Sequence, residues 1–114
     1  MPNERRTLTS AALHILIAIG PGERHGYAIM SEVERLTNGA TRLAPGTLYT
    51  TIKRLLDAGF IEEAGERPDS TRDDQRRRYY RLRPDGRAIV TAEVRRLETL
   101  VSVARPWALE AAGR

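Results

Sequence analysis

The stretch Ala44-Pro45-Gly46-Thr47-Leu48-Tyr49-Thr50-Thr51-Ile52-Lys53-Arg54-Leu55-Leu56-Asp57-Ala58-Gly59-Phe60 decides how this chain folds. It reads as one helix. Pro45 suits the first helical position, where its missing N–H has no partner to lose. Leu48, Ile52, Leu55 and Leu56 recur at helical spacing and share one side. Gly59 is placed to take the left-handed conformation that closes a helix, and Phe60 then folds back onto Leu55. Thr47, Thr50, Lys53 and Arg54 lie roughly opposite the apolar side, with Tyr49 on the flank. Thr, Lys and Arg can meet phosphates or base edges, so a short helix with this outer face suits the DNA major groove. An ordinary amphipathic helix with a solvated face has the same pattern. The rest of the chain has to decide between them.

The whole chain has 114 residues, enough for one small domain with a single core. Lys plus Arg number 19 and Asp plus Glu 15, a net charge of +4 that weakly favours a polyanionic partner. The absence of Cys excludes disulfides and thiolate metal sites. His14 and His25 are too few for a histidine cage, so no cofactor or metal is expected. Residues 1–8 are polar and are expected to fray, with no signal-peptide pattern. The most apolar run, Ala11–Ile19, is too short to span a bilayer. A cytoplasmic protein without a membrane partner is the expectation.

Upstream of the deciding stretch, Thr9 or Ser10 is placed to cap a first helix. That helix is apolar almost all round and should be the most buried. His14 inside it is expected to be partly buried with a backbone partner. Gly20-Pro21-Gly22 stops it. His25-Gly26-Tyr27 opens a second helix. Its core side should hold Tyr27, Ile29, Met30, Val33 and Leu36, and Asn38-Gly39 should end it. Thr41-Arg42-Leu43 reads as an extended link, with Leu43 a candidate strand residue. Two helices joined this way, the second with a polar cationic face, make a helix-turn-helix.

Downstream, Phe60–Ala64 reads as a short strand and residues 65–75 as a polar loop. Residues 76–82 read as a second strand, with Arg78, Tyr80 and Leu82 on one face and Arg77, Tyr79 and Arg81 on the other. Such a hairpin after a helix-turn-helix is a wing. Arg72, Arg76, Arg77 and Arg78 in its tip and second strand are candidate phosphate contacts. Pro84-Asp85-Gly86 starts a last helix expected to end near Ala104, with Arg105-Pro106 as the stop and Trp107 and Leu109 in a short tail. Val90, Val94, Leu97, Val101 and Ala104 form a coiled-coil-like stripe in it. A small domain does not easily cover this stripe and its flank, so self-association is expected.

Taken together, these residues resemble the PadR family of bacterial transcriptional regulators. The likeness is carried by Leu16, His25-Gly26-Tyr27-Ala28-Ile29, Pro45-Gly46-Thr47-Leu48-Tyr49, Leu55 through Gly59-Phe60-Ile61, and Arg77-Arg78-Tyr79-Tyr80-Arg81-Leu82 with Gly86. It covers roughly residues 8–104. The resemblance implies a mainly α fold with a small β-wing: a winged helix-turn-helix whose C-terminal helix pairs two subunits. It implies that the segment matching Thr47, Tyr49, Thr50 and Lys53 faces DNA and that the wing matching Arg76 to Arg78 approaches the backbone. It also implies a repressor, in many members released by a small molecule. There are departures. Arg83 stands where the family commonly has Thr or Ser, so Asp85 is expected to cap the last helix. Thr50 stands where Pro is frequent. The single short last helix points to the compact branch. Its middle has no aromatic, which argues against a flat-drug sandwich.

The expectation is therefore a winged helix-turn-helix over residues 1–83 and a C-terminal dimerisation helix and tail over 84–114, one compact unit. Its partners would be a palindromic double-stranded DNA operator, a second copy and a small-molecule effector. Ile15, Val94, Leu97 and Trp107 are the candidate effector pocket in the dimer groove. A winged-helix protein–protein adaptor that never touches DNA is the alternative. It would predict an apolar or acidic outer face on the third helix. Few His, no Cys, no phosphate loop and no paired-carboxylate cleft argue against an enzyme.

Overall fold

The computed structural model describes residues 8–69 and 72–112, with side chains for 8–67 and 77–109. Four helices and three strands follow one another: α1 (Ser10–Ile19), β1 (Glu23–His25), α2 (Gly26–Leu36), α3 (Pro45–Asp57), β2 (Ile61–Asp69), β3 (Arg72–Leu82) and α4 (Pro84–Ala112). The strands form one antiparallel sheet in the order β1-β3-β2. Among the described residues no helix is long and apolar enough to cross a membrane.

Helix α1 lies at the centre, against α2, α3, α4 and β3. Thr9 caps it by accepting from the Ala12 N–H at 3.1 Å. Its Ile15, Leu16 and Ile19 join Ile29, Val33, Leu48, Ile52, Leu55, Phe60, Ile61 and Tyr80 in the core. His14 is half-buried, and its Nδ1 lies 2.6 Å from the Ser10 carbonyl oxygen, the backbone partner expected for it.

The end of α3 is closed by two backbone bonds. The Phe60 N–H donates to the Leu55 carbonyl and the Gly59 N–H to the Leu56 carbonyl, both at 3.0 Å. Gly59 has φ +80°, the left-handed value this stop needs. Phe60 and Leu55 are both in the core. The same corner receives α4. The Phe60 carbonyl accepts from the Arg83 N–H at 2.9 Å, and a Cβ at Gly86 would sit 2.0 Å from that carbonyl oxygen. Only glycine lets α4 start against this turn.

Several local expectations are corrected. The wing strands run well into residues 65–75. Once Ile61 pairs with Leu82, each further pair adds backbone bonds without needing an apolar side chain, and Gly65, at φ +106°, follows a register shift after Glu63. Three polar residues, Glu23–His25, form an additional strand on β3, and Leu43 is in no strand. Tyr27 and Leu36 are exposed, not core. Arg83, not Asp85, takes the position before the last helix. Its carbonyl accepts from the Arg87 N–H, Pro84 is the first helical residue, and Asp85 lies in the first turn. Pro106 does not end α4, which continues to Ala112. The lost N–H costs one bond. The following Ala- and Leu-rich segment is strongly helix-forming and restores the run.

Candidate nucleic-acid interface

Helix α3 exposes Thr47, Tyr49, Thr50, Lys53 and Arg54 and buries Leu48, Thr51, Ile52 and Leu55. Thr50 and Lys53 are central on the outer face. Lys53 shares its charge with Asp57 one turn on, at 3.4 Å between exposed groups. Exposure leaves that pair weak. Arg54 lies on the flank toward α1 and α4, beside Leu8, Ala12 and Ile89. Tyr49 occupies the other flank and lies against Gly26 at the start of α2. A Cβ on Gly26 would come within 2.6 Å of the Tyr49 hydroxyl oxygen. The glycine of His25-Gly26-Tyr27 and the tyrosine of Leu48-Tyr49 thus form one contact between the two helices. Nothing in either segment alone announces it.

The start of α2 is held by His25, whose Nδ1 accepts from the Ala28 N–H at 3.2 Å. The His25 ring also stands edge-on to Tyr79 of β3, 5.2 Å between centroids. Arg67 lies over the Tyr79 ring, 4.0 Å from its centroid, and Arg77 over that of exposed Tyr27 at 5.5 Å. Arg77 therefore lies beside α2. Arg78 is on the opposite face, with Tyr80, and its guanidinium lies 3.7 Å from Glu63 and 3.6 Å from Glu66. Burial pushes the Tyr80 phenol up, and Glu63 and Tyr49 add to that shift while Arg78 opposes it. The side chains of Arg72 and Arg76 lie outside the described residues.

At the wing root an ion ladder crosses the sheet, from Arg67 to Glu23, Arg81, Glu62 and Arg83. Hydrogen bonding to Arg67 holds the Glu23 carboxyl below its usual range, and hydrogen bonding to Arg81 does the same for Glu62. The sequence reading missed this ladder because its members come from three separate segments.

The stripe on α4 divides in two. Val90 is packed against the core, together with its neighbour Ile89. Val94, Leu97 and Val101 are exposed, and so are Leu100, Val103 and Trp107 on the flanks. Ala104 is partly covered. The four candidate effector residues are not brought together within one chain. Ile15 has no exposed surface, and Trp107 stands ten residues, or about 15 Å of helix, beyond Leu97.

A helix-turn-helix with an exposed polar third helix, an arginine-bearing β-ribbon beside it and a long trailing helix defines the winged-helix class. The chain matches the family described as "Transcriptional regulator PadR-like family" over residues 15–92. It is 38% identical over 88 residues to Transcriptional regulator Rv3488 of Mycobacterium tuberculosis, spanning 77% of this chain and 76% of that one. The fold is similar to a PadR family transcription regulator from Clostridium difficile R20291, with TM-score 0.69, 18% identity, and 87% and 98% of the two chains covered. It is also similar to Bacillus subtilis PadR solved in complex with operator DNA, with TM-score 0.65, 22% identity, and 77% and 48% covered. The chain belongs to the PadR-like family of transcriptional regulators. That is a family of regulators, not of enzymes.

Proposed function

We propose that this chain is a cytoplasmic, homodimeric repressor that binds a palindromic double-stranded DNA operator and is released by a small-molecule effector. The observation that carries the reading is the exposed face of α3, where Thr47, Thr50 and Lys53 project beside a wing bearing Arg77 and Arg78. Thr50 and Lys53 read base edges in the major groove. Arg77 and Arg78, with Arg72 and Arg76 nearer the tip, hold phosphate. Tyr49 and Arg54 flank the reading face. Residues 1–83 form the DNA-binding unit and 84–114 the dimerisation helix. Val90, Val94, Leu97, Val101 and Ala104 form the seam, and the uncovered state of its middle supports this. A pocket near Val94, Leu97 and Trp107 would have to be completed by the second copy, and Ile15 can join it only if the core opens.

Sequencing the duplexes that the purified protein selects from a random pool tests the reading. An inverted repeat with half-sites about one helical turn apart is expected. If no duplex is retained below about 0.1 M salt, where non-specific attraction is strong, the adaptor reading replaces this one.

A further inference from the structure

An open groove of about 340 Å³ lies between the start of α1, the back of α3 and the start of α4. Leu8, Ala12, Leu55, Phe60 and Ile89 make it apolar, and Arg54 stands at its rim. Thr9 also lines it. Its hydroxyl accepts from the Ala12 N–H and keeps a second lone pair. Far along α4, Trp107 is 69% exposed, the most exposed large apolar residue among the described ones. A free indole and a groove with an apolar floor, a cation and a hydroxyl acceptor are chemically matched.

We infer that the groove of each protomer receives the partner's Trp107. This rests on the dimer reading above and adds to it a specific intersubunit contact at the back of the DNA-facing helix. The placement follows from α4 itself. If two α4 helices pair antiparallel through the exposed stripe with Leu97 at its middle, Leu97 faces the partner's Val94, Leu97 or Val101 in three registers. Trp107 then faces the partner's Pro84, Arg87 or Thr91. Every register sets the indole against the first two turns of the partner's α4, where Ile89 borders the groove.

The side of the helix is settled as well. Trp107 follows Ile89 by eighteen residues, five full turns, so both project from the same flank. A two-fold axis through an antiparallel pair keeps that flank on one side of both helices. The partner's Trp107 and the groove therefore face the same way at the same height. A parallel pair would instead place the two Trp107 side by side and press the two bodies together at Val90, which each chain already packs against its own core.

The chain has one Trp and no Cys, so one substitution makes the test. Ala58, at the groove rim, is replaced in Ala58→Cys and labelled with a nitroxide, which quenches indole emission only at close range. The control label goes on Ser31→Cys, on the exposed side of α2. In the dimer, emission should fall several-fold with the groove label and stay unchanged with the control. Dilution to monomer, or adding Leu97→Arg, should restore it. In the unlabelled chain, emission should shift to the blue as the dimer forms, which checks that the label does not evict the ring. A dimer with unquenched, solvent-like emission overturns the docking and leaves the dimer standing. A chain that stays monomeric at every concentration overturns both.

Discussion

Leu48 and Leu55 on α3 and Leu97 and Leu100 on α4 are the same residue type on helices with comparable apolar spacing. Their surroundings are opposite. The first pair is 0% and 4% exposed, the second 37% and 53%. Helix α3 is crossed by α1 and closed by the Phe60 turn, whereas α4 leaves the body after Val90 and runs on alone. The contrast shows that an apolar stripe specifies a contact without saying whether it is made within the chain or by a second molecule. In a regulator the distinction has a use. On the proposed reading, the part packed within one chain carries the DNA-facing helix, and the uncovered part would set how two such helices are spaced.

The contrast should be sharpest in stability. Leu48→Ala removes a fully buried side chain and is expected to cost about 2–5 kcal/mol, on the order of 10 °C in melting temperature. Leu97→Ala should change the melting temperature of dilute monomer hardly at all, and should lower it only at concentrations where dimer forms. Equal losses in dilute solution would mean that the far half of α4 is covered within one chain.

Association is the next point of attack. Leu97→Arg places an unpaired charge in the seam, twice per dimer. It should yield monomer or aggregate and lose operator binding while an intact fold persists by circular dichroism. A wild-type mass measured as monomer at micromolar concentration would break the comparison, because the uncovered stripe would then need another explanation.

The two elements proposed to face DNA separate at smaller energies. Thr50→Ala should cost on the order of 1–3 kcal/mol on operator and much less on scrambled duplex. Arg77→Ala should weaken both duplexes alike and lower the slope of log K against log salt by roughly 0.9. Arg78→Ala should lower it by less than a full contact, because Glu63 and Glu66 already share that charge. If Arg77→Ala relaxes sequence preference and Thr50→Ala does not, the reading and clamping roles are reversed.

The smallest effect concerns the wing root. The Glu23 and Glu62 carboxyls are held low by Arg67 and Arg81, so they bind fewer protons folded than unfolded. Their contribution is present above the ordinary carboxylate range and fades as pH falls through the folded values, below about pH 5. The ladder is at the surface, so the loss should be slight and should shrink in high salt. Melting curves of wild type and Glu23→Gln across acid pH, in low and high salt, measure it. A larger acid effect in high salt than in low salt would contradict this origin.

The helices and their order were legible because their signals are local. Thr9 as cap, Gly20 as stop, Pro45 at the first turn and Gly59 with Phe60 at the last act through neighbours within one turn. The spacing of Leu48, Ile52 and Leu55 gave the buried side of α3, and the same spacing necessarily left Thr50 and Lys53 outside. Tertiary structure decided everything that needed a partner distant in sequence. Glu23–His25 became a strand because the Gly20–Gly22 turn delivers it to β3, whose backbone groups pair with it whatever its side chains. The wing lengthened because strand pairing propagates along the backbone. Tyr49 took its place through Gly26, twenty-three residues earlier, and Gly86 had to be glycine because Phe60 turns its carbonyl there. For α4 the sequence wrote the stripe, but whether a residue is covered depends on what stands opposite. One chain supplies that only as far as Val90.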